Sequence, residues 1–279
     1  MPTELLRDAL PYLKQFHEKL FVLKTGGTVI TDDDFPTLLQ DIAVLNYMGI
    51  RVVCVFGAGP QLDAAFTENK LESKSIDGLR VTAPEMIPIM QEVLAEQMSM
   101  ISKMFAKQDL PVRRIEKFLS ARPMRMRGAP AGHCTGAIHK VDAAQILACF
   151  AEDCLPVCGP LISGLNCNAD HVALALATYL GAEKLIFMTG ALGILVPDGK
   201  NGQKLLTSVT PKELRKHIKS DYIGGGMIPK ALASVQACEA GVPRVHIISG
   251  LHDGTLLREI FSQHGVGTMI ANEIPSDEA

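Results

Sequence analysis

Short runs in which every position is apolar alternate along the chain with longer stretches in which apolar positions recur every three or four residues. Leu20 to Leu23 is followed by a helical pattern from Phe35 to Met48, and Val52 to Phe56 by one from Gln61 to Glu68. Pro156 and Val157 precede a helix opening around Asp170; Leu185 to Met188, Val245 to Ser249 and a helix from Gly254 to Phe261 complete the series. Strands without a polar face belong in a parallel sheet covered on both sides, because a sheet with one wet face would alternate. The pattern therefore predicts an α/β fold, an open and mainly parallel sheet in an αβα sandwich. The helix after Asp170 ends at Gly181 before a new strand begins, so a boundary between two lobes is expected within Tyr179 to Lys184. Methionines between Met86 and Met104 keep a helical period and are expected in the core. The segment 108–132 carries Arg113, Arg114, Arg122, Arg125 and Arg127; it reads as a solvated β-hairpin face, with a substrate or subunit contact as the alternative.

Composition narrows the function by exclusion. The 279 residues carry 27 basic and 30 acidic side chains, a formal charge of −3, so no global field favours nucleic acid or an anionic membrane. The first eighteen residues mix Glu4, Arg7, Asp8, Lys14 and Glu18 among apolar ones, unlike a signal peptide, and no uncharged apolar stretch is long enough for a bilayer. Seven cysteines in mostly apolar surroundings read as reduced thiols of a cytoplasmic protein. Cys154 and Cys158 lack the spacing of a zinc pair, and no metal site is expected.

The chemistry sits in three short segments far apart in sequence: Lys24 to Gly27, Asn166 to Asp170, and Gly224 to Lys230. Glycine lets backbone N–H groups approach a ligand, and lysine ammonium groups neutralise charge on phosphoryl oxygens, so the joint reading is phosphoryl transfer. A second strand–turn–helix junction, Gly57-Ala58-Gly59-Pro60, could hold the other end of such a transfer. Taken singly, either turn is also an ordinary βα turn, Arg80 a surface residue, and Asn166 or Asn168 a turn residue or helix cap. The chain has neither a P-loop nor the motif set of protein kinases.

Five ordered motifs spanning nearly the whole chain resemble those of the amino acid kinase family: Lys24-x-Gly26-Gly27, Gly57-Ala58-Gly59-Pro60, Gly78-Leu79-Arg80-Val81-Thr82, Asn166-x-Asn168-Ala169-Asp170 and Gly226-Met227-x-Pro229-Lys230. The resemblance implies an oligomerisation helix over residues 1–20, an acyl-amino-acid lobe over 21–181 and an ATP lobe over 182–279. It implies ATP-dependent phosphorylation, with Mg²⁺ carried on the nucleotide, of the side-chain carboxylate of N-acetyl-L-glutamate in arginine biosynthesis. Lys24 and Lys230 would stabilise the transferring group from opposite sides, oriented by Asp170. Backbone N–H groups around Gly26, Gly27, Gly57, Ala58 and Gly59 would take up phosphoryl charge, while Arg80, Asn166 and Asn168 would hold the substrate. Thr189, Gly193, Gly226, Met227 and Lys230 would line the nucleotide.

The sequence departs from the family pattern in three places: Ala58 replaces the central glycine of a triple-glycine turn, Gly190 stands where an aspartate is usual, and the hairpin Leu161 to Leu165 is short. These departures keep a second reading open, a non-catalytic arginine-sensing regulator similar to the kinase-like domain of N-acetylglutamate synthase; with the sequence ending at Ala279, an appended acetyltransferase domain is not expected. A third is a relative acting on another acidic substrate such as an aminoadipate derivative. In the segment Leu5 to His17, Leu6, Leu10, Leu13 and Phe16 recur at helical spacing in a helix with no evident seat on the sheet. The resemblance implies that this helix interlaces dimers into a hexamer, and that L-arginine binds between it and the C-terminal lobe at Tyr12, Glu259, Gly265 and Gly267. His171, His246 and His252 are expected to be structural or regulatory.

Overall fold

The computed structural model describes residues 3–199, 202–220, 222–262 and 265–274, and the side chains of residues 3–6 and 8 lie outside the description. The first half of the chain runs α1 (Thr3–Phe16), β1 (Leu20–Thr25), α2 (Gly27–Ile30), α3 (Phe35–Tyr47), β2 (Arg51–Phe56), α4 (Gly59–Glu68), the hairpin β3 (Lys74–Ile76) and β4 (Leu79–Val81), and α5 (Met86–Ala106). It continues through β5 (Val112–Arg114), β6 (Leu119–Pro123), β7 (Thr135–Val141), α6 (Ala143–Ala151), β8 (Leu155–Cys158), β9 (Leu161–Ile162), β10 (Leu165–Cys167) and α7 (Ala169–Tyr179). The remainder is β11 (Lys184–Thr189), the hairpin β12 (Leu195–Pro197) and β13 (Gln203–Leu205), β14 (Ser208–Val209), α8 (Pro211–Lys219), α9 (Met227–Glu239), β15 (Arg244–Ser249), α10 (Thr255–Phe261) and β16 (Thr268–Ala271).

The eight-stranded sheet has the order β14-β16-β15-β11-β1-β2-β8-β5, parallel from β15 to β5, with β16 antiparallel to β15. After β1 and β2 the chain crosses to the edge strand β5, fills the gap between β2 and β5 with β8, and then returns to the other side of β1 at β11. The topological switch point therefore falls between β1 and β11, where open α/β sheets hold their ligands beyond the carboxyl ends of the strands. Successive residues of β1 feed opposite cores: Phe21 and Leu23 pack with Leu39, Ile42 and Ile101 on one face, Leu20 and Val22 with Leu176, Ala173 and Val235 on the other. This double burial is why the strands read as unbroken apolar runs.

Several elements differ from expectation. Arg113 and Arg114 lie on the edge strand β5, paired with Glu152 and Glu116, while only Arg122 lies on the antiparallel hairpin β6–β7; Arg125 and Arg127 occupy its connecting loop. The N-terminal helix does have a seat on its own subunit. Phe16 is buried with its ring 5.3 Å from that of Phe21, and Tyr12 stacks on Phe16 and meets Phe261 edge to face. Leu10 is about half exposed, Leu13 is partly buried, and Leu6 falls outside the described side chains. Met86, Met90 and Met98 are buried as expected, whereas Met100 reaches the surface. No helix among the described residues is long and apolar enough to cross a membrane.

Candidate active site

A cleft of about 330 Å³ opens over the switch point, lined by Lys24, Gly26, Gly27, Gly57, Ala58, Gly59, Arg80, Asn166, Asn168, Asp170, Thr189 and Lys230. The eleven residues expected at the substrate and phosphoryl positions thus converge, together with Thr189 of the nucleotide set, although they are spread over more than 200 residues of sequence. At its centre the carboxylate of Asp170 lies between two ammonium groups: Lys24 Nζ is 2.8 Å from Oδ1, an ion pair set off the hydrogen-bond axis, and Lys230 Nζ donates to Oδ2 at 3.1 Å. Lys24 comes from the central strand β1, Asp170 from the first turn of α7 and Lys230 from the first turn of α9.

Electrostatics follow from that burial. Desolvation lowers the pKa of the Lys24 ammonium from its ordinary value, and the neighbouring Lys230 adds to this, while Asp170 opposes it without overcoming it. Burial alone would raise the Asp170 carboxyl, but the two lysines outweigh it and hold the group below the usual carboxylate range. Asp170 stays ionised, helped by its place at a helix N-terminus. Asn168 is the cap of that helix, its side-chain oxygen accepting from the N–H groups of Asp170 and His171 at 2.9 and 3.2 Å. Asn168 thus fixes the carboxylate while also facing the cleft.

The two glycine turns meet face to face. A Cβ on Gly27 would fall 2.5 Å from Gln61 Oε1 and 2.7 Å from Pro60 Cδ, so this approach requires glycine. Not every expected N–H is available to a ligand, because the ladder of the sheet runs into the first residue of each turn. Gly26 N–H donates to Met188 O at 3.0 Å and Gly57 N–H to Thr25 O at 2.9 Å.

On the substrate side, Asn166 donates from Nδ2 to Thr82 Oγ1 at 2.7 Å, and Thr135 Oγ1 accepts from Thr82 N–H at 3.0 Å while donating to Arg80 O at 2.9 Å. The Thr82–Thr135 pair locks the β4 hairpin to β7; Thr135, Met124 and Gly136 line the cleft without any signal in the sequence pattern. The Arg80 guanidinium bonds Asp63 and Ser73 and lies 5.2 Å over the Phe66 ring. Its carboxylate partner Asp63 is more than half exposed, so a ligand carboxylate can replace it. The hairpin tip reaches the first turn of α9, where a Cβ on Gly78 would stand 3.0 Å from Pro229, the residue before Lys230.

The expected nucleotide residues divide. Thr189 and Lys230 line the cleft, Gly226 caps α9 and accepts from Lys230 Nζ at 3.4 Å, and Met227 follows it on α9. Gly193 lies away from the cleft, packed so tightly on β16 that a Cβ would meet Thr268 Oγ1 and Leu205 Cδ1 at 2.7 Å.

A second cluster surrounds Glu259, which is buried. His246 Nδ1–H donates to its Oε1 at 2.6 Å, and Val266 and Gly267 N–H donate to Oε2 at 2.6 and 3.2 Å. Lys184 Nζ lies 3.1 Å from His246 Nε2 and 5.1 Å over the Phe16 ring at the end of α1. Burial lowers the His246 pKa to about 4, with Lys184 adding to the effect, so the ring is neutral with its proton on Nδ1. Gly265 stands against the Glu259 carboxylate. His246 is one of the histidines expected to be structural or regulatory, whereas nothing in the sequence pattern marks Lys184, which opens β11.

A parallel sheet with a cleft at its switch point, two lysines on one carboxylate and glycine turns without a P-loop together define a phosphotransferase of the α/β class. Residues 19–249 match the amino acid kinase family, and the chain belongs to that family. It is 33% identical to the acetylglutamate kinase of Azoarcus sp. over 98% of this chain and 96% of that protein, and 35% identical to that of Methanothermobacter thermautotrophicus over 96% and 98%. Among solved structures, it resembles N-acetylglutamate synthase from Neisseria gonorrhoeae complexed with coenzyme A and N-acetyl-glutamate, at a TM-score of 0.90 and 27% identity, covering 99% of this chain and 64% of that one.

Proposed function

We propose that this chain is an acetylglutamate kinase, transferring the γ-phosphoryl group of ATP to the side-chain carboxylate of N-acetyl-L-glutamate in the arginine biosynthesis of the cytoplasm. The observation that carries this reading is the Lys24–Asp170–Lys230 constellation in a cleft that also holds Arg80 and Asn166, and the full-length likeness to kinases of that name supports it.

The attacking carboxylate is already ionised and needs no general base, so positioning and charge neutralisation carry the rate. Lys24 and Lys230 approach the transferring phosphoryl group from the two halves of the sheet, and Asp170 keeps both ammonium groups in place. Arg80 exchanges Asp63 for the α-carboxylate of the substrate, with Asn166 beside it. Magnesium bound with the nucleotide would add further neutralisation. Asp170 is committed to the lysines and no group of three ligating side chains occurs among the described residues, so the donor set fits a metal held by phosphate oxygens and water. The close approach of the Gly78 hairpin to Pro229 would help to shield the acyl phosphate from water, which would hydrolyse it. In a coupled ADP-release assay, N-acetyl-L-glutamate should be turned over while glutamate and aspartate are not; release with all three or with none removes the assignment.

The cluster around Glu259 carries a regulatory reading. Tyr12, Glu259, Gly265 and Gly267, now joined by Lys184 and His246, form the candidate site for L-arginine between α1 and the C-terminal lobe. A synthase of the same fold has been crystallised with L-arginine, at a TM-score of 0.87 and 26% identity over 98% of this chain. Arginine would act by its differential affinity for two lobe arrangements, in a hexamer interlaced through the exposed Leu10 side of α1. Deleting residues 1–18 is expected to give dimers that remain active and ignore arginine; sedimentation showing an intact hexamer, or full-length activity unmoved by millimolar arginine, would contradict this. The alternative, a non-catalytic arginine sensor, predicts thermal stabilisation by arginine with no turnover.

A further inference from the structure

Two glutamine side chains behind the cleft hold the carbonyls of its two glycine turns. Gln61 donates from Nε2 to Gly27 O at 2.8 Å, and Gln97, in the middle of α5 and 93% buried (7% exposed), donates from Nε2 to Gly57 O at 3.2 Å. Both glutamines leave a buried Oε1 with no partner among the described residues. Buried amides are normally satisfied at both ends, so each has been placed for its donor alone.

The bond from Gln97 settles which way one peptide faces. In a trans peptide the carbonyl and the following N–H point in opposite directions, and Gln97 lies behind the turn while Gly57, Ala58 and Gly59 line the cleft. Holding Gly57 O against α5 therefore aims Ala58 N–H into the cleft, and that N–H has no acceptor among the described residues. With Gly57 N–H taken by Thr25 and Ala58 O accepting from Leu62, the Gly57–Ala58 unit is fixed on both flanks. The side chain at position 58 reinforces this. Ala58 has φ −143°, and a flip of the preceding peptide would carry it to positive φ, which costs an alanine far more than a glycine. The alanine that departs from the triple-glycine pattern thus removes the flipped state, in which a carbonyl would face the phosphoryl oxygens.

We infer that Gln97 is a positioning residue for phosphoryl transfer, which together with Ala58 locks the Gly57–Ala58 peptide with its N–H toward the transferring group. This rests on the kinase reading for its rate consequence, but not for the peptide geometry. Two measurements separate them. In the Gln97→Met protein, an isosteric change without the donor, turnover is expected to fall about tenfold to a hundredfold, a share of what a whole preorganised donor contributes, with KM for both substrates changed less than about threefold. Affinity for the ADP–aluminium fluoride complex should fall in step. The double variant Gln97→Met/Ala58→Gly should lose more than the two single losses combined, because neither restraint then opposes the flip. Independently of any substrate, the Ala58 amide resonance should shift in Gln97→Met, and a crystal structure of the double variant should show the peptide turned. Unchanged turnover in a folded Gln97→Met protein, strictly additive effects, or an unmoved peptide in the double variant would overturn the proposal. If the wild-type protein proves inactive on N-acetyl-L-glutamate, the substrate assignment fails and the peptide orientation still decides the lock.

Discussion

The Lys230→Ala protein is expected to fold normally and to turn over at least about a hundredfold more slowly than wild type. Its ammonium group is at the mouth of the constellation, 15% exposed, and contributes one hydrogen bond to Asp170 and a contact with Gly226 O. Its removal leaves Asp170 still paired with Lys24, so the carboxylate is not stranded. What is lost is one of two cations at the transferring group, and a single preorganised donor of that kind contributes about 3 to 4 kcal/mol at the transition state. Stopped-flow or coupled assays at saturating ATP would check it; turnover within a few-fold of wild type would remove the two-lysine mechanism, whatever happened to KM.

A different signature is expected of Asp170→Asn, in which activity should fall about a hundredfold or more and recover partly as the pH is lowered. Burial already lowers the pKa of Lys24, and Asp170 is the first influence opposing that fall. Replacing the carboxylate by an amide leaves two ammonium groups facing each other in a dry site, and the Lys24 value must drop further. The sign follows directly: a lysine with a depressed pKa is charged only at lower pH, so the variant loses its cation as pH rises through that value. Wild type, with Asp170 ionised beside Lys24, should keep that cation to higher pH than the variant does. A variant whose pH profile parallels that of wild type would mean that Asp170 merely braces the fold.

Much of the architecture was legible because the sheet is buried on both faces. Strands β1, β2, β11 and β15 carry no polar face, and each is closed by glycine or a helix start, so their positions and parallel sense follow from the apolar runs. The weaker elements were not legible for physical reasons. β5 is three residues long and sits at a sheet edge, where Arg113 and Arg114 face carboxylates, and it carries no hydrophobic alternation. β16 joins antiparallel, which nothing in its four residues announces. At the site, Lys24, Asp170 and Lys230 could be read because each sits in a glycine- or asparagine-rich motif. Thr135 and Gln97 could not, since a threonine on a strand and a glutamine in a helix gain meaning only from what folds against them. Tyr12 and Phe16 belong to the same group: their spacing marks a helix face, and only the positions of Phe21 and Phe261 show that it closes on its own subunit.

The charge arrangement at the switch point also bears on the stability of the fold. Two ammonium groups and one carboxylate leave a net positive charge where Lys24 and Asp170 are almost wholly buried, and an apolar trio of similar volume is often at least as stable as a buried ionic one. Loss of Asp170 alone would leave two like charges facing each other, whereas loss of either lysine would leave a neutral pair. Stability alone therefore gives no reason to bury a second cation here, and the handling of phosphoryl charge does.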